Sequence, residues 1–73
     1  MAILRVRLSN GKRLVTVRGR LAARDLRRLE RACGPALEQR EVPLELRLSE
    51  HGDMDEATQL FLAGLVRRGA VLS

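Results

Sequence analysis

His51, Asp53, Asp55 and Glu56 form the densest group of metal- and proton-handling side chains in this chain of 73 residues. Oxygen donors packed this closely would suit a hard cation. Ca²⁺ takes about 6–8 oxygen ligands and Mg²⁺ a near-octahedral set, and three carboxylates with one imidazole fall short of both. The spacing serves another purpose better. Asp53-x-x-Glu56 before an apolar run is the spacing of a helix capping box, and acids there suit the positive end of the helix dipole. His51, the sole histidine, lacks a second histidine or a nearby thiol for zinc and reads as a solvated loop residue.

Cys33 is the only cysteine, so no intramolecular disulfide and no multi-thiolate zinc site can form. A thiol nucleophile needs a basic partner, and Cys33 instead falls on an apolar helix stripe, where cysteine acts as a small buried hydrophobe. Glycine-rich phosphate loops are absent. The expectation is a protein with no catalytic residues, no metal and no cofactor.

Charge offers more. Residues 1–31 carry ten basic residues against Asp25 and Glu30, a net +8, while residues 32–73 carry a net −3. Thirteen of the fourteen cations are arginine. Arg20, Arg24, Arg27, Arg28 and Arg31 cluster around one predicted helix, which raises a nucleic-acid reading. Without aromatic side chains beside them they cannot stack unpaired bases, so phosphate-backbone contact is what remains. A solvated helix face is the other reading. Arg24/Arg28 and Arg27/Arg31 are like-charge i, i+4 pairs that weaken a helix slightly, a cost an acidic partner would relieve.

The elements that must position these residues follow from periodicity. Leu4, Val6 and Leu8 alternate with Arg5, Arg7 and Ser9, Asn10-Gly11 supplies a type I′ turn, and Leu14–Val17 returns as a second strand. Ala22, Leu26, Leu29 and Cys33 then share one helical stripe, with Asp25 in or capping the first turn. Gly34-Pro35 ends or kinks that helix. Leu44, Leu46 and Leu48 alternate as a third strand. Ala57, Leu60, Phe61, Gly64 and Leu65 mark a second amphipathic helix, closed by Arg67, Arg68 and Gly69. Val71 and Leu72 start a fourth strand. The order is β-β-α-β-α-β, a small α/β fold with a mixed sheet, in one domain spanning residues 1–73. Phe61 is the only aromatic, so the core must be aliphatic. No stretch approaches the roughly 18 apolar residues of a membrane span, and charges at Arg5 and Arg7 interrupt the first apolar run, so a cytoplasmic protein without membrane contact is expected.

Arg47-Leu48-Ser49, then Met54-Asp55-Glu56-Ala57-Thr58, then Arg68-Gly69-Ala70-Val71-Leu72 resemble successive motifs of the STAS family, the sulfate transporter and anti-sigma factor antagonist domains. Leu14 to Leu21 resembles the family's strand leading into Gly-Glu-Leu. The resemblance implies a STAS-like fold truncated after its fourth strand. It also implies a signalling role: a non-catalytic protein-interaction module akin to an anti-sigma factor antagonist, docking a protein partner such as an anti-sigma-type kinase. Three departures bear on that role. Glu56 stands where signalling members carry the phosphorylated serine, Thr58 replaces a glycine, and Arg47 reverses the charge of a strand-end aspartate. A carboxylate carries one permanent charge where a phosphate would carry about −1.5 to −2.

The partner surface expected on this basis comprises Ser49, Asp53, Asp55, Glu56, Thr58, Leu62 and Val66. Leu62 and Val66 lie beside the predicted core stripe and have two readings, a broad core contact or an exposed apolar patch. The uncharged Val71 and Leu72 on an outer strand also predict pairing into a homodimer. Nucleic-acid binding through the arginine helix face is the alternative.

Overall fold

The computed structural model describes residues 2–39, 42–50 and 52–73. Its elements are β1 (Ile3–Ser9), β2 (Lys12–Arg18), a 3₁₀ turn (Ala23–Asp25), α1 (Leu26–Glu38), β3 (Leu44–Leu48), α2 (Glu56–Arg67) and β4 (Val71–Leu72). The expected α/β order is therefore found. The four strands lie in sequence order in one mixed sheet, β1–β2 antiparallel, β2–β3 and β3–β4 parallel. The β1–β2 turn takes positive φ at both Asn10 (51°) and Gly11 (77°), as a type I′ turn requires. That turn pairs Ser9 with Lys12 and thereby fixes the register of the whole hairpin.

Register divides the sheet into two unlike faces, because side chains alternate along each strand. Val15, Val17, Leu44, Leu46 and Leu48 share the face covered by helices and are buried. Leu29, Cys33, Ala36 and Leu37 of α1 and Leu62 and Leu65 of α2 complete an aliphatic core. Phe61 is only half-buried at its margin. On the opposite face stand Ile3, Arg5, Arg7, Lys12, Leu14, Thr16, Arg18, Glu45, Arg47 and Val71, and none of them is buried.

Two helix expectations are refined. Of the end or kink expected at Gly34-Pro35, the end does not occur, and the first helix runs on to Glu38. Pro35 has no amide for the preceding turn, yet Gln39 N bonds to the Pro35 carbonyl at 3.2 Å, and burial of Ala36 and Leu37 draws the last turn onto the sheet. In α2 the buried stripe is Thr58, Leu62 and Leu65, with Ala57 and Leu60 outside it. Ala57–Leu60–Phe61–Gly64–Leu65 is a regular apolar pattern, but the face of α2 buried in the core is the one that carries Thr58, Leu62 and Leu65. Leu60 is left 63% exposed.

The end of α2 follows the Schellman pattern. Gly69, at φ 112°, donates to the Val66 carbonyl at 3.0 Å, and Ala70 donates to that of Leu65 at 3.0 Å. This turn delivers β4 into register beside β3, Glu45 opposite Val71 and Leu46 opposite Leu72.

Candidate functional site

At the carboxyl end of β2 and β3 two loops are tied together. Ser49 N donates to the Val17 carbonyl at 3.0 Å, Gly19 N donates to Ser49 Oγ at 3.1 Å, and the Arg20 guanidinium donates to the Asp53 carbonyl at 3.0 Å. Crevices outside the carboxyl ends of parallel strands are where open α/β sheets place their binding surfaces. Here that crevice is a shallow recess of about 220 Å³ bordered by Arg20, Leu21, Glu50, Gly52, Asp53 and Met54. His51 lies outside the described residues.

Beyond the loop, α2 begins at Glu56, so its cap is Asp55 and not Asp53. Asp55 accepts from Thr58 N at 2.8 Å. The Thr58 hydroxyl and this amide face the Asp55 carboxylate and hold its pKa below the usual range. The hydroxyl itself is fully enclosed and meets hydrogen-bond geometry with no acceptor among the described residues. Asp53 is displaced from the capping role because its carbonyl serves Arg20 and its side chain faces solvent. Gln59 Nε2 reaches back to the Met54 carbonyl at 2.8 Å and steadies the approach to the helix.

The fold brings four of the seven expected partner residues to one exposed end: Ser49, Asp53, Asp55 and Glu56. Thr58 and Leu62 are buried, which corrects the reading of Leu62 as part of an exposed apolar patch. Val66 is 45% exposed but stands ten residues along the helix from Glu56, about 15 Å away. It is exposed near the far end of α2, away from that loop.

The arginines around α1 do not form one free face. Arg20 is committed to the Asp53 carbonyl. Arg28 forms an ion pair with Asp25 and donates to the Ala2 carbonyl at 2.9 Å. Asp25 is 1% exposed and also accepts from Ala22 N at 3.0 Å. Burial raises its pKa, but the Ala22 amide and the Arg28 guanidinium outweigh burial and leave the carboxyl below its ordinary value. Arg24, Arg27 and Arg31 are exposed, with no ion pair among the described residues. Cys33 is enclosed by the core, and burial pushes its thiol up to about 11, so it is a thiol and not a thiolate at neutral pH. Among the described residues no group of three or more His, Cys, Asp or Glu side chains could hold a metal ion, and no helix is long and apolar enough to cross a membrane.

The open sheet face was not singled out from the sequence. Glu45 acts as its hub, meeting Lys12 at 2.6 Å, Arg47 at 3.0 Å and the Ser73 hydroxyl at 2.9 Å. The hydrogen bonds from Lys12, Ser73 and Arg47 lower the Glu45 pKa to about 2. Toward β1 no acid among the described residues answers the arginines. The signal was present in the hairpin, since an Asn10-Gly11 two-residue turn dictates that Arg5 faces Thr16 and that Arg18 faces Ile3.

Compared with family models, curated proteins and solved structures, the chain shows no significant match.

Proposed function

We propose that the chain is a non-catalytic protein-interaction module of STAS type, acting as an anti-sigma factor antagonist would but without a switchable serine. The observation that supports this reading is the position of Glu56. It is exposed at the first turn of α2, directly after the Asp55 cap, beside the two loops joined through Ser49 and Arg20. A fixed carboxylate there gives a partner a permanent anionic contact. The two remaining hydroxyls of the site are poor phosphoacceptors: Ser49 Oγ is engaged by the Gly19 amide, and Thr58 Oγ1 is enclosed. Partner binding is accordingly constitutive.

The test uses the partner purified from the native host by affinity capture and then reconstituted with the pure chain. Calorimetry should give the same affinity with and without ATP, and Asp53→Lys with Glu56→Lys should weaken it at least tenfold. Phosphate incorporated at Ser49 or Thr58 on incubation with partner and ATP would overturn the constitutive reading. An anti-sigma-type kinase is the partner class the resemblance favours.

Self-association belongs to a second surface. Val66, Val71 and Leu72 are apolar and 40–59% exposed, and the short β4 lies at the sheet edge. Pairing along β4 would give a homodimer. Sedimentation equilibrium at tens of micromolar should show mass above the 8.2 kDa of one chain; a clean monomer contradicts it.

A further inference from the structure

Arg5, Arg7 and Arg18 form a cluster that the fold neither uses nor neutralises. Arg5 and Arg7 are two residues apart on β1, so their side chains leave one face about 6.7 Å from each other. Arg5 lies opposite Thr16, which makes Arg18 its diagonal neighbour at about 7–8 Å. All three are exposed, and among the described residues no ion pair reaches any of them. With Thr16 and Val6 they line an open depression of about 640 Å³. Three like charges this close repel one another, so the isolated fold gains nothing from them.

We infer that this open face of β1–β2 binds the phosphate backbone of double-stranded DNA. Guanidinium groups match phosphate oxygens in a bidentate fork, and a row of them on a firm sheet neutralises successive phosphates. The centre of the patch is Thr16, flanked by the half-buried Leu14. An interface with an acidic protein would be built around a large central anchor, typically aromatic, whereas the apolar side chains here, Val6 and the half-buried Leu14, are small and lie beside the arginines. A membrane surface would call for a contiguous set of apolar side chains ready to insert, and this face offers Ile3 on β1 and Val71 on β4, at opposite edges of the sheet. Single strands would need aromatic platforms, and Phe61, the one aromatic residue, is on α2 across the sheet. Contact is therefore with the backbone of a duplex and independent of sequence. This surface is separate from the acidic loop end and stands or falls without the protein-partner reading.

The experiment is fluorescence anisotropy of the whole chain with a labelled DNA duplex of mixed sequence across a salt series. Three phosphate contacts predict a log–log salt slope of about −3. Arg5→Ser/Arg7→Ser/Arg18→Ser should lower affinity at low salt at least about tenfold and flatten the slope by about 3. Arg24→Ser/Arg27→Ser/Arg31→Ser removes the same net charge from α1 and should change affinity less than about threefold. Should the first variant fold poorly by circular dichroism, Thr16→Glu places a carboxylate among the guanidinia and should weaken binding comparably. Equal losses from the sheet and helix variants would overturn the inference, since only net charge would then matter. So would binding of polyglutamate, phosphatidylserine vesicles or single-stranded DNA as tight as that of the duplex.

Discussion

Arg28 of α1 and Arg5, Arg7 and Arg18 of β1–β2 belong to the same basic half of the chain, yet the structure treats them differently. Arg28 is tied into Asp25 and the Ala2 carbonyl, joining the start of α1 to the start of β1. Arg68 of the α2 cap meets Glu30 of α1 at 2.9 Å, and this pair raises the Arg68 pKa. Arg5, Arg7 and Arg18 have no ion pair among the described residues. Composition counts all of these as equal cations. Only topology separates the ones that hold elements together from the ones left facing outward.

The largest effect expected from this contrast is on Asp25. Asp25→Ala removes the acceptor for the Ala22 amide and strands Arg28, and should cost about 2–3 kcal/mol in urea unfolding. Arg28→Ala should follow at about 1–2 kcal/mol, leaving Asp25 buried with the Ala22 amide as its remaining partner. A loss below about 0.5 kcal/mol for both would erase the distinction between the two groups of arginines.

Stability against pH sharpens the same point. Asp25, Glu45 and Asp55 all have folded pKa values below their ordinary ones. The stability they contribute is present above the unfolded values, near pH 4, and is lost as pH falls toward about 2, where Glu45 takes up its proton. The urea midpoint should therefore drop between pH 5 and 2, and less steeply in Glu45→Gln. An unchanged slope in that variant would contradict the role of Glu45 as hub.

Much of this was legible beforehand. The hairpin, the third strand and the α2 terminus rest on local chemistry: Asn10-Gly11, alternating leucines and Gly69 each admit few conformations. What escaped was set by tertiary packing. The face that α2 turns to the core buried Leu62 in place of Leu60, and the core contacts of Ala36 and Leu37 carried α1 past Pro35. The cap fell to Asp55 and not Asp53 because the helix starts at Glu56, a boundary that the spacing of the acids alone does not fix. The site was half legible for the same reason: Ser49, Asp53, Asp55 and Glu56 lie close in sequence, across one loop and the first residue of α2, whereas the open arginine cluster depends on which face the helices leave bare.

A smaller effect concerns Thr58. Thr58→Val keeps the shape but removes the hydroxyl that faces the Asp55 carboxylate, and should destabilise the fold by about 1 kcal/mol at neutral pH. Stabilisation of that size would show that the enclosed hydroxyl is an unpartnered burden and not a support for Asp55. Smallest of all, Arg5→Ser, Arg7→Ser and Arg18→Ser should each alter stability by less than about 0.5 kcal/mol.

The separation of the sheet-face arginines from the other exposed cations is tested most directly by nuclear magnetic resonance. Amide and arginine side-chain shifts of the labelled chain would be followed as a short DNA duplex is added at low salt. Shifts should concentrate on Arg5, Arg7, Thr16 and Arg18, with Arg28, Asp53 and Glu56 unmoved. Shifts centred on Arg24, Arg27 and Arg31, or spread evenly over every exposed cation, would contradict it.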